Sequence, residues 1–135
     1  MKRLVLFLAV LLVASFGGCS NNNNDDLTNT ITTGTWRVSY YINNGNEDTS
    51  LFRGYVFTFR PDGTVSVTRP SLPVAPGTWN EHDDNRRLEL DFGSSGLLLL
   101  EKLNEDWVVA SVDNDVVLLG EPGRPLNQCE FARIF

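Results

Sequence analysis

Residues 54–69 contain the clearest hairpin of the chain, with the sequence GYVFTFRPDGTVSVTR. Tyr55, Phe57 and Phe59 recur at every second position, and this period of two places them on one face of a β-strand. Pro61-Asp62-Gly63 predicts a tight reversal, because Pro presets φ, Asp accepts hydrogen bonds from the backbone that follows and Gly tolerates positive φ. The valines after the turn alternate in the same way. The stretch therefore indicates an antiparallel sheet as the basis of the fold.

Short apolar runs separated by turn signals continue on both sides of this hairpin. No long helical pattern interrupts them, so the sequence predicts an all-β antiparallel meander of eight or nine strands. Closing such a meander removes its unpaired edges, which favours an up-and-down barrel, with a two-sheet sandwich as the alternative. The other predicted strands are 35–42, 77–79, 87–92, 97–100, 107–112, 116–119 and 130–135, with loops at 70–76 and 121–128 and a short helix compatible with 48–53.

The first residues differ in composition from the rest of the chain. Met1-Lys2-Arg3 precedes an apolar run over 4–16, and two glycines follow it. A spanning helix needs about 20 apolar residues, so this run is too short for one. A basic start, a short apolar core and small residues are typical of a secretory signal peptide. We expect a signal peptide over 1–18, a flexible tether over 19–33 and one barrel domain over 34–135.

Gly17-Gly18-Cys19 resembles the bacterial lipobox, in which the cysteine becomes the acylated first residue of the mature chain. The resemblance implies that Cys19 is lipidated and that its acyl chains hold the protein at a membrane, since each buried methylene contributes about 0.8 kcal/mol. The polar residues 20–26 resemble the export signal of Bacteroidota surface lipoproteins. The implied location is the bacterial cell envelope, at the outer membrane, with the periplasmic and surface faces both open.

The excess of acidic over basic residues limits the kinds of partner that the mature chain can bind. Without residues 1–18 the chain holds nine Lys and Arg against seventeen Asp and Glu. The basic residues are scattered, with only Arg86 and Arg87 adjacent. Nucleic acids and anionic bilayer surfaces require basic patches, so this distribution argues against both as ligands.

Short motifs placed on the predicted strands resemble those of small bacterial lipocalin-like lipoproteins. Gly34-Thr35-Trp36 stands where lipocalins have their Gly-x-Trp motif. The hairpin 57–64, a second Gly77-Thr78-Trp79 and Trp107-Val108-Val109 follow in matching order. The resemblance implies a lipocalin-like barrel in which Arg133, near the end of the last strand, packs over Trp36 and closes the base.

Seven aromatic residues are candidates for lining either a filled core or a pocket. Barrels of eight strands lie at the size where the interior fills with side chains or holds one small ligand. A filled core is the favoured interpretation, because a small domain without a disulfide needs these rings for burial. The seven are Trp36, Tyr40, Tyr55, Phe57, Phe59, Trp79 and Trp107.

No pattern in the sequence predicts a catalytic residue, a cofactor or a metal site. Residues 81–84, Glu-His-Asp-Asp, contain the single histidine, and we interpret them as a solvated loop. Residues 113–115, Asp-Asn-Asp, lack the rest of a calcium loop and are interpreted as a hairpin turn. If Cys19 is acylated, Cys129 has no disulfide partner, and a small buried hydrophobe is favoured over a reactive thiol.

These patterns leave two functional hypotheses, neither of them enzymatic. The first is that the barrel binds a small apolar or amphipathic ligand. The second is that loops and an exposed apolar strand contact another envelope protein or an external macromolecule. The proline-containing loop 70–76 and the leucine run 97–100 motivate the second hypothesis.

Overall fold

The computed structural model describes residues 26–84, 86–94 and 97–135. The expected signal peptide, the lipidation site Cys19 and the first part of the expected tether lie outside the described residues. The elements are α1 (Leu27–Ile31), β1 (Thr35–Asn43), β2 (Asn46–Glu47), a 3₁₀ helix (Thr49–Phe52), β3 (Val56–Phe59), β4 (Thr64–Arg69), β5 (Leu72–His82), β6 (Arg87–Asp91), α2 (Leu98–Glu101), β7 (Glu105–Val112), β8 (Val116–Glu121) and β9 (Arg124–Ile134).

The strands form one antiparallel sheet that closes on itself. Each barrel strand pairs with the next barrel strand along the chain, and β1 also pairs with β9, from Thr35↔Ile134 to Ile42↔Gln128. The barrel has eight strands, β1 and β3 to β9, while β2 is an extra strand in a hairpin with β1. The predicted all-β, lipocalin-like barrel is confirmed, and the two-sheet sandwich is not the fold.

The meander places its connections alternately at the two ends of the barrel. One end, here called the closed end, carries α1 and the connections β3–β4, β5–β6 and β7–β8. The other end, here called the mouth, carries the connections β4–β5 and β8–β9, the 3₁₀ helix before β3, and α2 before β7. The two helical segments at the mouth distinguish that end from the closed end.

Two segments expected to be loops are strands. The loop predicted at 70–76 is wrong, because β5 begins at Leu72 and pairs with β4 through Pro76. Pairing between β5 and β6 begins only at Thr78, so Pro73 and Pro76 lie where one edge of β5 is not paired with β6. Edge positions of this kind tolerate a residue that has no N–H. The loop predicted at 121–128 is also too long, because β9 begins at Arg124 after a tight turn.

The leucine run 97–100 is not a strand. Leu98–Glu101 forms the short helix α2, and Leu100 and Leu103 are fully buried while Leu98 is exposed. A spacing of three residues between the two buried side chains fits one face of a helical turn. A continuous run of leucines fits the period of a strand and the period of a helix equally well. Periodicity in the sequence therefore did not distinguish a strand from a helix here.

The flexible tether predicted over 19–33 extends too far along the chain. Leu27–Ile31 forms α1, whose side chains Leu27 and Ile31 are fully buried. Asp26 caps this helix, with its carboxylate accepting a hydrogen bond from the N–H of Thr28 at 3.0 Å. The segment 48–53 does contain a short helix, the 3₁₀ helix.

Strand β1 contains a β-bulge between Val38 and Tyr40 that changes which side chains face inward. Strict alternation from Trp36 predicts Tyr40 inside the barrel, but Tyr40 is 36% exposed and Tyr41 is 4% exposed. The extra residue of a bulge shifts the following side chains to the opposite face. Tyr40 is therefore not a core or pocket residue, and Tyr41 takes its place.

Candidate functional site

The barrel interior is lined by aromatic rings that contact one another. Six of the seven predicted aromatic residues are buried there; Tyr40 is the exception. Phe59 makes edge-to-face contacts with Trp79, at 6.1 Å between ring centroids, and with Phe131, at 5.6 Å. Phe57 contacts Phe131 at 5.2 Å and Phe92 at 6.3 Å. Such contacts stabilise by about 0.5–1.5 kcal/mol beyond the area they bury.

Besides Tyr41, three aromatic residues outside the seven candidates belong to this interior. Phe131 and Cys129 alternate on the last strand and both are fully buried, so the period of two could have identified them. Phe92 immediately follows β6, in which Leu88 and Leu90 alternate on the inward face, so the same period of two indicates its burial. Phe52 lies in the 3₁₀ helix among polar residues, where no periodic pattern indicates burial.

The closed end is held by contacts between α1, β1 and β9. The indole N–H of Trp36 donates to the carbonyl of Ile31 at 2.8 Å. The guanidinium carbon of Arg133 lies 5.0 Å from the centroid of the Trp36 ring, the contact that the lipocalin resemblance implied. Arg133 Nη2 also donates to the carbonyl of Thr30 at 3.2 Å. Tertiary contacts therefore fix the entry of the chain at this end.

The mouth is covered by the 3₁₀ helix and α2. Phe52 packs edge-on against Tyr41 at 4.9 Å, and Leu100 of α2 and Leu103, two residues after that helix, are fully buried. The Tyr41 hydroxyl donates to the carbonyl of Lys102 at 3.3 Å, which links β1 to the residue after α2. Burial raises the pKa of Tyr41 to about 12, so the hydroxyl remains a donor at neutral pH.

Exposed apolar side chains surround the mouth. Five of the large exposed hydrophobic residues lie on elements that begin or end there, one on the 3₁₀ helix, two at the start of β5, one on α2 and one at the start of β9. Exposed apolar patches of this kind mark contact surfaces more often than isolated exposed residues do. The five, here called the rim, are Leu51, Leu72, Val74, Leu98 and Leu126.

The polar clusters singled out in the sequence have structural partners. β5 ends at His82, so Glu81 and His82 are strand residues and not part of a loop. His82 Nε2 lies 2.9 Å from Asp106, which also contacts Arg87 at 3.4 Å. Among the described residues, no group of three or more His, Cys, Asp and Glu side chains could hold a metal ion.

Residues 113–115 form the expected hairpin turn. One carboxylate oxygen of Asp113 accepts from the N–H groups of Asp115 and Val116, each at 2.9 Å. This carboxylate oxygen therefore stabilises the backbone of the turn. Cys129 is fully buried, and burial raises the pKa of its thiol.

Comparisons with known proteins identify the fold and no family. No family model matches the chain, and no curated protein matches it. A DUF4847 family protein from Bacteroides vulgatus is similar in structure, with a TM-score of 0.57 and 22% identity over 78% of this chain and 96% of that one. Japanin from Rhipicephalus appendiculatus, bound to cholesterol, has a TM-score of 0.50 and 14% identity over 78% and 77%. Within the described ranges, no helix is long and apolar enough to cross a membrane.

Proposed function

We propose that this protein is a lipid-anchored barrel of the bacterial envelope that binds one small apolar or amphipathic ligand in its interior. The observation that carries the proposal is the construction of the mouth. An interior lined by aromatic rings ends there under two short helical segments, not under continuous strand pairing. Ligand pockets are typically apolar cavities with few polar groups, and the mouths of β-barrels are common places for them.

Entry of a ligand requires movement of these segments, because the aromatic side chains below them contact one another. Phe52, Leu100 and Leu103 would leave the interior, and burial of each side chain is worth about 1.5–3 kcal/mol. A ligand must restore a similar apolar area. A hydrogen bond from the Tyr41 hydroxyl to the carbonyl of Lys102 joins β1 to the residue after α2, whereas barrel strands are joined by ladders of backbone hydrogen bonds. Short elements with few bonds open at low free energy.

Two further observations support the proposal. Japanin, a protein of similar fold, is bound to cholesterol, which is an apolar ligand. The chain enters the barrel through α1 at the closed end, so an anchor on Cys19 would be joined to the domain at the end opposite the mouth. We further propose an outer-membrane location and a role without catalysis, on the lipobox-like residues and the lack of a nucleophile–base pattern in the sequence.

Native mass spectrometry of the protein purified from its own host tests whether a ligand is carried. We expect a reproducible bound small molecule. A fluorescence titration with the neutral apolar probe N-phenyl-1-naphthylamine then tests the mouth. Leu100→Ala should enlarge the space under α2 and tighten probe binding, because the substituted side chain is fully buried.

Leu98→Ala is the matched control on the same helix, since Leu98 is 76% exposed. It should leave probe affinity unchanged. A clean apo mass, together with no saturable probe binding by wild type or Leu100→Ala, would overturn the proposal.

The rim favours a second candidate function, docking of a protein partner at the mouth. Leu72 and Val74 lie at the start of β5, where the strand has one free edge. A double substitution of both residues to Ser should abolish such docking and leave binding of the apolar probe intact. Loss of both activities would indicate that the rim belongs to the ligand site.

A further inference from the structure

The barrel wall has one weak seam, between β1 and β3. These strands pair at a single position, Trp36↔Phe57, whereas the other neighbouring barrel strands pair at four or more positions within the described residues. Beyond the bulge, β1 forms hydrogen bonds with residues of the segment that precedes β3, and not with β3 itself. The N–H of Tyr41 donates to Thr49 Oγ1 at 2.8 Å, and the N–H of Asp48 donates to the carbonyl of Tyr41 at 2.9 Å. The segment before β3 therefore occupies the part of the seam that is nearer the mouth.

A cleft of about 320 Å³ opens on the outer side of this seam, here called the seam cleft. Two core residues, Val38 and Phe52, form its apolar floor. Arg37, on β1, and Arg53, the residue after the 3₁₀ helix, also line the cleft. A volume near the lower end of the range for small-molecule pockets fits a ligand of a few heavy atoms.

The charges of the seam cleft are not balanced. Within the described ranges, neither Arg37 nor Arg53 has a hydrogen-bond or ion-pair partner for its guanidinium. Glu47 is the one carboxylate among the lining residues, and it accepts from the N–H of Thr49 at 3.0 Å. Hydrogen bonds from Thr49 lower the pKa of Glu47, so it is ionised. Two guanidiniums and one carboxylate leave one positive charge.

The other two clefts described on the surface lack this combination. One of about 410 Å³ contains Arg86 and Arg87 together with two aspartates, and Arg87 already contacts Asp83 at 3.9 Å. The other, of about 420 Å³, is lined around Phe92 and includes Asp91 but no basic residue. The free positive charge beside an apolar floor is a property of the seam cleft.

We propose that the seam cleft binds a small monocarboxylate that carries an apolar chain. The carboxylate lies between Arg37 and Arg53, whose planar guanidiniums match it in geometry and charge. The chain lies on Val38 and Phe52. The excess of one positive charge favours a monoanion over a dianion or a neutral compound. This site goes beyond the proposed function, because it lies in the outer wall and needs no opening of the mouth.

An NMR titration of the full mature chain with sodium hexanoate tests the proposal, with 1-hexanol as the neutral probe. We expect saturable shifts centred on the amides of Ser50 and Gly54 and affinity about tenfold weaker for hexanol, since hydrogen bonds between charged groups are roughly twice as strong as neutral ones. Arg37→Gln and Arg53→Gln should each weaken hexanoate binding about tenfold. Added salt should weaken it further, because the guanidiniums are exposed.

Arg86→Gln is the matched control, since Arg86 is also exposed and lines a different cleft. It should bind hexanoate as wild type does. Equal binding of hexanoate and hexanol, or equal binding by the Arg37→Gln and Arg86→Gln variants, would overturn the proposal. So would hexanoate shifts confined to the barrel interior, or displacement of N-phenyl-1-naphthylamine by hexanoate.

These outcomes separate the two proposals. If hexanoate binds at the seam while the protein has a clean apo mass and does not bind the naphthylamine probe, the interior ligand fails and the seam site stands. If the probe binds and hexanoate shows no preference over hexanol, the reverse holds.

Discussion

At the residue scale, Arg133 is the side chain that joins the parts of the closed end. Its guanidinium lies over Trp36, and its Nη2 donates to Thr30 on α1. Its aliphatic part lies against Gly34, where an added Cβ would lie 3.5 Å from Arg133 Cδ. One side chain on β9 therefore contacts the beginning of β1 and the helix that precedes it. A Lys in this place would lack the flat surface for the indole.

Arg133→Met should destabilise the protein by about 1–3 kcal/mol, because it removes the cation–π contact and the hydrogen bond but keeps an unbranched apolar chain. Urea unfolding measures the change, and tryptophan emission should shift as the environment of Trp36 changes. Arg86→Met is the control, since that side chain is exposed. Unchanged stability and unchanged emission for Arg133→Met would contradict the role assigned to Arg133.

Cys129 and Tyr41 make the stability of the fold depend on pH in the alkaline range. Burial raises the pKa of its thiol above the usual value of 9.0, and the pKa of Tyr41 is raised from 10.0 to about 12. Both groups are neutral in the folded state while the unfolded chain ionises. Their contribution to stability is therefore complete below pH 9 and is lost as pH rises beyond it.

We expect the urea midpoint to fall between pH 8 and pH 10, and the thiol of the folded protein to resist Ellman's reagent. Cys129→Ala should reduce the fall between pH 9 and pH 10, where the thiol of the unfolded chain titrates. A midpoint that stays constant to pH 10 in the wild type would show that the thiol is not buried.

At the element scale, β5 approaches the end of β6 more closely than a side chain would allow. A Cβ on Gly77 would lie 2.5 Å from Phe92 Cδ1 and 3.0 Å from the carbonyl oxygen of Asp91. The absence of a side chain at Gly77 lets the Phe92 ring cover the strand and turn toward Phe57. Glycine is needed here for space, not for its backbone conformation.

Gly77→Ala should cost about 1–3 kcal/mol, because the ring of Phe92 and the backbone of β6 must both move. Thermal unfolding would show this as a fall of roughly 4–8 °C per kcal/mol. Gly120→Ala is the matched control in β8, where nothing lies within 4 Å of the added Cβ. A similar melting temperature for the two variants would contradict the close packing of β5 on Phe92.

Local sequence patterns predict some elements of the barrel and fail to predict others. The hairpin of β3 and β4 follows its turn signal, with Asp62 accepting from the N–H and hydroxyl of Thr64 at 2.9 and 2.6 Å. The bulge in β1 has no such signal, since Tyr40 and Tyr41 are equally suited to a strand interior. The choice between them depends on pairing with β9, whose partner residues are about ninety positions away in sequence.

At the scale of the whole molecule, the barrel is asymmetric. The closed end is bound by α1 and by side-chain contacts from β1, β5 and β9, including a hydrogen bond from the Thr28 hydroxyl to Glu81 at 2.7 Å. The mouth carries short helices, buried leucines and the exposed rim. The seam cleft lies on the wall between the two ends. The proposed interior ligand and the proposed carboxylate therefore use different surfaces, which is why their tests can give independent results.

The sequence by itself determined the class of the fold, most strands and six of the ten buried aromatic residues among those described, because alternation and turn chemistry act over a few residues. Tertiary structure alone decided the bulge that exchanges Tyr40 and Tyr41, the helical form of Leu98–Glu101 and the docking of α1. It also decided the seam cleft, which Arg37 and Arg53 both line although neither belongs to a motif. Each of these depends on which distant strands pair and on the space left between them, and local sequence patterns do not carry that information.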